Sequence, residues 1–128
     1  MFKLMYLLKR KPGTSLEEFI HHYENSHAKI GKRIFDGKAV RYMRRYLRPM
    51  DDFIALDGPG VQYDVAMECW FEDRAHFDAV VAASSEPEIL KLILEDEERF
   101  MDRTTRAVYV LEEYETELAP VEPASGVA

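Results

Sequence analysis

The order in which strand-like and helix-like periodicities succeed one another limits this chain's fold more than any other feature. Lys3 to Lys9, KLMYLLK, is a short apolar run between charges, closed by Pro12 and Gly13, and reads as a strand. Ser15 and Glu18 have the spacing of a capping box, so a helix is expected to begin at Leu16. Leu16, Phe19, Ile20, Tyr23 and His27 then recur at the spacing of one helical face, and His27 ends the stripe. His21, His22, Glu17 and Glu24 fall elsewhere on the wheel and read as solvated surface. After a basic segment through Lys32 and Arg33, Arg41 to Arg48 sets Tyr42, Arg44, Tyr46 and Arg48 against Met43, Arg45 and Leu47, a second strand. Tyr63 to Phe71 sets Tyr63, Val65, Met67, Cys69 and Phe71 against Asp64, Ala66, Glu68 and Trp70, a third. Asp73 stands where it would cap a helix carrying His76, Phe77, Val80 and Val81. Ser84 to Pro87 interrupts that helix, and a further run from Glu88 to about Asp102 lines up Ile89, Leu92, Ile93, Glu97 and Phe100. Arg106 to Tyr114, RAVYVLEEY, is rich enough in β-branched and aromatic residues to be a fourth strand.

The succession is β–α–β–β–α–β, the split βαβ pattern of a ferredoxin-like α+β domain with a four-stranded antiparallel sheet. A chain of 128 residues is the size of one domain, expected over residues 1–116, with residues 117–128 a flexible tail because periodicity is lost there. With both helices on one face, the other face of the sheet would still carry large side chains from the first, third and fourth strands. A second copy packing sheet against sheet would cover it, so a homodimer through the open face, a dimeric α/β barrel, is expected. Arg44, Arg45 and Arg48 would hold a substrate carboxylate or pair with interface carboxylates such as Glu68 and Glu112, and the structural role is favoured. Pro49 to Val61, with two prolines, two glycines and three aspartates, suits a long excursion able to cover a site.

Several classes of function find no support. Apolar residues at 47% and charged residues at 32% are a globular composition. No stretch approaches the roughly 18 apolar residues of a membrane span, and no cleavage site follows MFKLMYLLKRK, so a cytoplasmic protein without membrane contact is expected. A net charge of −7 disfavours nucleic acid as a partner. Cys69, the single cysteine, lies in an apolar run and reads as a small buried hydrophobe. Neither the adjacent His21 and His22 nor their distance from His27 makes a helical ligand pair, so no metal is expected. No cofactor is expected either, because the chain has no glycine-rich phosphate loop or dinucleotide fingerprint, and no Gly-x-Ser-x-Gly turn occurs.

The segments KLMYLLKRKPG, SLEEFIHHYENSHA, CWFED and DEERFMD together resemble the EthD family of dimeric α/β-barrel proteins over about residues 2 to 115. The most specific elements are the first-strand Lys-Arg-x-Pro-Gly and the pair Tyr23 and His27. The resemblance implies an enzyme of aromatic or polyketide metabolism and raises the standing of His27. At an inward-facing helix end, His27 reads either as a core histidine or as a general base or acid able to exchange a proton near neutral pH. Tyr6, Phe19, Tyr23, Trp70 and Phe100 would bind a small aromatic substrate, although aromatic residues so spaced also make ordinary core. The first expectation is a cofactor-independent lyase, a dehydratase or related proton-transfer enzyme. The alternatives are a cofactor-free monooxygenase and a noncatalytic binder of a pathway intermediate.

Overall fold

The computed structural model describes residues 1–50 and 62–124. The strands are β1 (Phe2–Arg10), β2 (Arg41–Tyr46), β3 (Val65–Phe71) and β4 (Met101–Val110); the helices are α1 (Leu16–His22), α2 (Ala28–Phe35), α3 (Arg74–Ser84) and α4 (Pro87–Phe100). Between α1 and α2 one wide π-helical turn, Tyr23–His27, keeps the helix continuous. The strands form one antiparallel sheet in the order β2-β3-β1-β4, the ferredoxin-like arrangement. Apart from Pro49 and Met50, the excursion through Val61 lies outside the described residues, and residues 117–124 form no helix or strand.

Local chemistry sets the helix starts where the sequence places them. Ser15 Oγ accepts the Glu18 backbone N–H at 3.1 Å, and the Ser15 hydroxyl is also within 3.1 Å of the Glu18 carboxylate. The carboxylate therefore meets the hydroxyl, not the Ser15 backbone N–H that a full capping box would engage. Asp73 caps α3 by accepting the His76 N–H at 3.0 Å, and Pro87 occupies the first turn of α4, where its missing N–H costs nothing.

Two expectations need correction. The first helical region does not stop near His27; it runs on through α2 to Phe35, burying Ala28, Gly31 and Ile34. The fourth strand does not begin at Arg106; it starts at Met101, directly after α4, because Met101 and Asp102 pair with Arg10 and Lys9 of β1. The β1–β4 register then shifts between Leu7 and Lys9, so residues 102–107 carry extra chain that hides the strand alternation.

Alternation on the two central strands sorts the sheet into two faces. Leu4 and Leu8 of β1, with Val65, Met67, Cys69 and Phe71 of β3, are buried towards the helices. They pack against Phe19, Tyr23, Ile34, Val80 and Phe100, and each large side chain so buried contributes about 1.5–3 kcal/mol. Met5, Leu7, Ala66, Glu68 and Trp70 have the opposite parity and belong to the second face. Of the three arginines, Arg45 pairs with Glu68 on that face, Arg44 with Glu24 and Arg48 with Glu17, all within the chain. No helix among the described residues is long and apolar enough to cross a membrane.

Candidate functional site

Between the helices and the sheet lies a largely apolar cavity of about 330 Å³, within the range of small-molecule sites. Its polar or reactive lining includes Tyr6 of β1, Tyr23 and His27 of the π turn, Cys69 of β3, Glu97 of α4 and Arg106 of β4, with the hydroxyl residues Tyr42, Ser84 and Ser85. A second cleft of about 430 Å³ shares the Phe35 and Tyr42 wall with it. Two of the cations there are already engaged, Lys32 by Asp36 and Arg44 by Glu24.

The π turn is what brings His22, Ser26 and His27 together. On a regular α-helix, residues five apart lie about 140° apart around the axis. Here the Ala28 N–H reaches back to the Tyr23 carbonyl, an i→i+5 bond that widens the helix. His22, Ser26 and His27 consequently all meet one carboxylate, Asp96 of α4. Its Oδ1 pairs with His22 Nε2 at 3.0 Å and accepts the Ser26 hydroxyl at 2.7 Å, while Oδ2 pairs with His27 Nδ1 at 2.9 Å. Asp96 is only 2% exposed, and burial on its own would raise its carboxyl. The bonds from Ser26, His27 and His22 outweigh burial and hold it below the ordinary aspartate range.

His27 is shifted downward. Burial is the largest cause and favours the neutral ring, against the opposing pull of Asp96 and Glu97. With Asp96 accepting at Nδ1, the proton of the neutral ring resides there and Nε2 keeps its lone pair. The Tyr23 ring meets His27 edge-on at 5.3 Å and Phe100 lies 5.2 Å from it, so the imidazole is wedged in place. Burial raises the Tyr6 phenol and, foremost among several causes, the Tyr23 phenol, so both remain donors. Burial also pushes the Cys69 thiol up to about 12, which makes it inert as a nucleophile at neutral pH.

Of the aromatic residues singled out in the sequence, Tyr6 and Tyr23 line the cavity beside His27. Phe19 and Phe100 are fully buried behind it, Phe19 edge-on to Tyr23 at 6.0 Å and Phe100 stacked on His22 at 4.5 Å. Trp70 is not brought to the cavity. It lies on the second sheet face, with Lys3 Nζ 3.7 Å from its ring, Arg41 at 4.6 Å and its indole N–H donating to Glu68. His22 and Glu24, read as solvated surface, are also corrected: His22 is bound to Asp96, and Glu24 receives Arg44 and the Tyr46 hydroxyl. Sequence reasoning missed Asp96, Ser26 and Arg106. The one available signal was Glu97, a carboxylate standing in the apolar stripe of α4.

Gly31 also shapes the cavity. A Cβ on this residue would come within 2.7 Å of the Tyr42 ring, so only glycine lets that ring lie on the helix backbone. Gly31→Ala would gain about 1 kcal/mol of helix propensity and lose about 1–3 kcal/mol to overpacking. A net destabilisation is expected, read as a lower urea midpoint at unchanged m-value; a raised midpoint would show that Tyr42 moves aside freely.

The comparisons with known proteins accord with this architecture. A protein of Arabidopsis thaliana superposes with a TM-score of 0.61 at 13% identity, covering 92% of this chain and 100% of that one. An EthD family protein of Bacillus halodurans gives 0.59 at 16% identity, covering 89% and 100%. An antibiotic biosynthesis monooxygenase gives 0.51 at 15% identity, covering 90% and 100%. At these identities the likeness is one of fold. No curated protein matches the sequence significantly. The EthD domain family matches residues 11–104, well over half of the chain and the whole of the histidine–aspartate network, and the protein therefore belongs to the EthD family.

Proposed function

We propose that the protein is a cofactor-independent lyase, a dehydratase or related proton-transfer enzyme, acting on a small aromatic or polyketide-like molecule. The observation that carries this reading is a neutral histidine on an apolar cavity, with Nδ1 held by a buried aspartate and Nε2 left to exchange a proton. In a dehydration, Nε2 would take a proton from carbon beside a carbonyl. The released electron pair forms the new double bond, the carbon–oxygen bond breaks, and the departing hydroxide regains the proton from the imidazolium as water. Asp96 would stabilise that imidazolium, and the Tyr6 hydroxyl would donate to the oxyanion that develops at the carbonyl.

The test is to incubate wild type and His27→Ala with hydroxylated aromatic and polyketide-like compounds under air and under nitrogen, following products by mass. Loss of water or carbon dioxide without oxygen, abolished in the variant, is expected. The monooxygenase similar in fold gives reason for the air arm: an oxygen-dependent gain of mass would replace the lyase by a cofactor-free oxygenase. Unaltered ligand bound equally by both proteins would leave a binder.

A second copy covering the open sheet face is part of this proposal. Met5 and Leu7 stand at the centre of that face, on β1 between β3 and β4. Light scattering coupled to gel filtration should give the mass of a dimer for wild type and of a monomer for Leu7→Asp. A monomeric wild type at micromolar concentration would remove the dimer from the reading.

A further inference from the structure

Along α4, Ile89, Ile93, Glu97 and Phe100 occupy one apolar stripe, and at Glu97 a carboxylate stands where an aliphatic side chain would pack without penalty. Glu97 is 4% exposed, it lines the cavity, and its Oε2 has no hydrogen-bond partner among the described residues. A buried acceptor left unmatched is rare in native proteins and calls for a reason.

Arg106 is the cation beside it. Arg106 Nη1 stands 3.6 Å from Glu97 Oε2, within ion-pair range but beyond a hydrogen bond. The Arg106 side chain is 42% exposed, and its residue falls in the part of β4 where the ladder to β1 is out of register. The guanidinium thus balances the carboxylate without occupying its lone pairs. An ionised carboxylate is acceptor-only, so the group it lacks is a donor. An anionic ligand group would be repelled by Glu97 and a cationic one by Arg106. A neutral hydroxyl whose oxygen gains negative character satisfies both.

We infer that Glu97 is a specificity-determining residue of this cavity: it accepts the hydroxyl hydrogen of a phenolic or enolic substrate, and Arg106 faces that hydroxyl's oxygen. The inference rests on the proposed reading only in using the same cavity. Glu97 holds the hydroxyl end of the ring while His27 works on its carbon framework, and the Glu97 charge is near enough to act on His27.

Binding of 2-naphthol, 2-methoxynaphthalene and naphthalene, titrated calorimetrically, tests it without turnover. Wild type should prefer 2-naphthol to the other two by about tenfold or more, the worth of one hydrogen bond to a charged acceptor. In Glu97→Leu the preference should vanish while naphthalene binds no more weakly. In Glu97→Gln, which keeps one carbonyl acceptor and the shape, it should shrink, and this variant decides if the leucine protein does not fold. No measurable 2-naphthol binding to wild type, no preference, or the same preference in the variants would overturn the assignment. Because no product is measured, a failed lyase reading leaves this result standing, and a failed hydroxyl preference leaves the lyase reading open to its own test.

Discussion

Replacing His27 by alanine is expected to slow turnover of a competent substrate by about 10²–10⁴-fold, the usual contribution of a positioned general base. The cavity walls formed by Tyr6 and Tyr23 remain, so KM should change far less than kcat. The pH profile separates this role from a packing role. Burial lowers His27 below the ordinary imidazole value, so the ring is neutral at pH 7 and becomes protonated only on further acidification. The acid limb of kcat/KM should therefore lie below about pH 6.5 and be absent from any residual activity of the variant. A limb above neutrality, or none in wild type, would contradict a base at this position. Stability follows the same sign. The unfolded chain protonates this histidine at a higher pH than the folded chain does, so its contribution is complete above the unfolded value and declines as pH falls towards the folded one.

Asp96→Ala should destabilise the fold by about 3–5 kcal/mol, the range for removing one partner of a buried charged cluster. The loss is large because three donors, His22, Ser26 and His27, lose their common acceptor at once. Asp96 joins α4 to the end of α1 and to the π turn across 69 to 74 residues of sequence. Asp96→Asn retains one acceptor oxygen and should cost less. Those same bonds hold the Asp96 carboxyl below its ordinary value. Its stabilisation is therefore complete above the unfolded aspartate value and is lost as pH falls through the lower folded one. Urea titrations at neutral and acid pH should show the gap between wild type and Asp96→Ala narrowing on acidification. A gap under about 1 kcal/mol at neutral pH, the scale of an exposed ion pair, would mean the cluster is not a structural tie. Activity should fall in both variants, since His27 then has no carboxylate to orient it and stabilise its protonated form.

Trp70 and β4 mark two different limits on what could be read from the chain. The alternation of β3 already put Trp70 on the face opposite Cys69 and Phe71, so strand parity alone separates it from a cavity lined by Cys69. The start of β4 had no such signal: Met101 to Thr105 does not alternate, and the pairing of Met101 and Asp102 with Arg10 and Lys9 makes it a strand.

The apolar periodicities determined the element order, the ferredoxin-like class, the cap at Ser15 and the inward placement of Phe19, Tyr23 and His27, because each depends on neighbours a few residues away along one helix or strand. The tertiary structure decided the rest. A π turn is stable here only where its wider spacing lets His22, Ser26 and His27 share Asp96, and that energy comes from α4, distant in sequence. Likewise the apolar stripe of α4 already marks Glu97 as an inward carboxylate, but its surroundings are set only when α4 packs on the sheet. Packing then removes it from water, sets Arg106 beside it and turns it towards the cavity lined by His27.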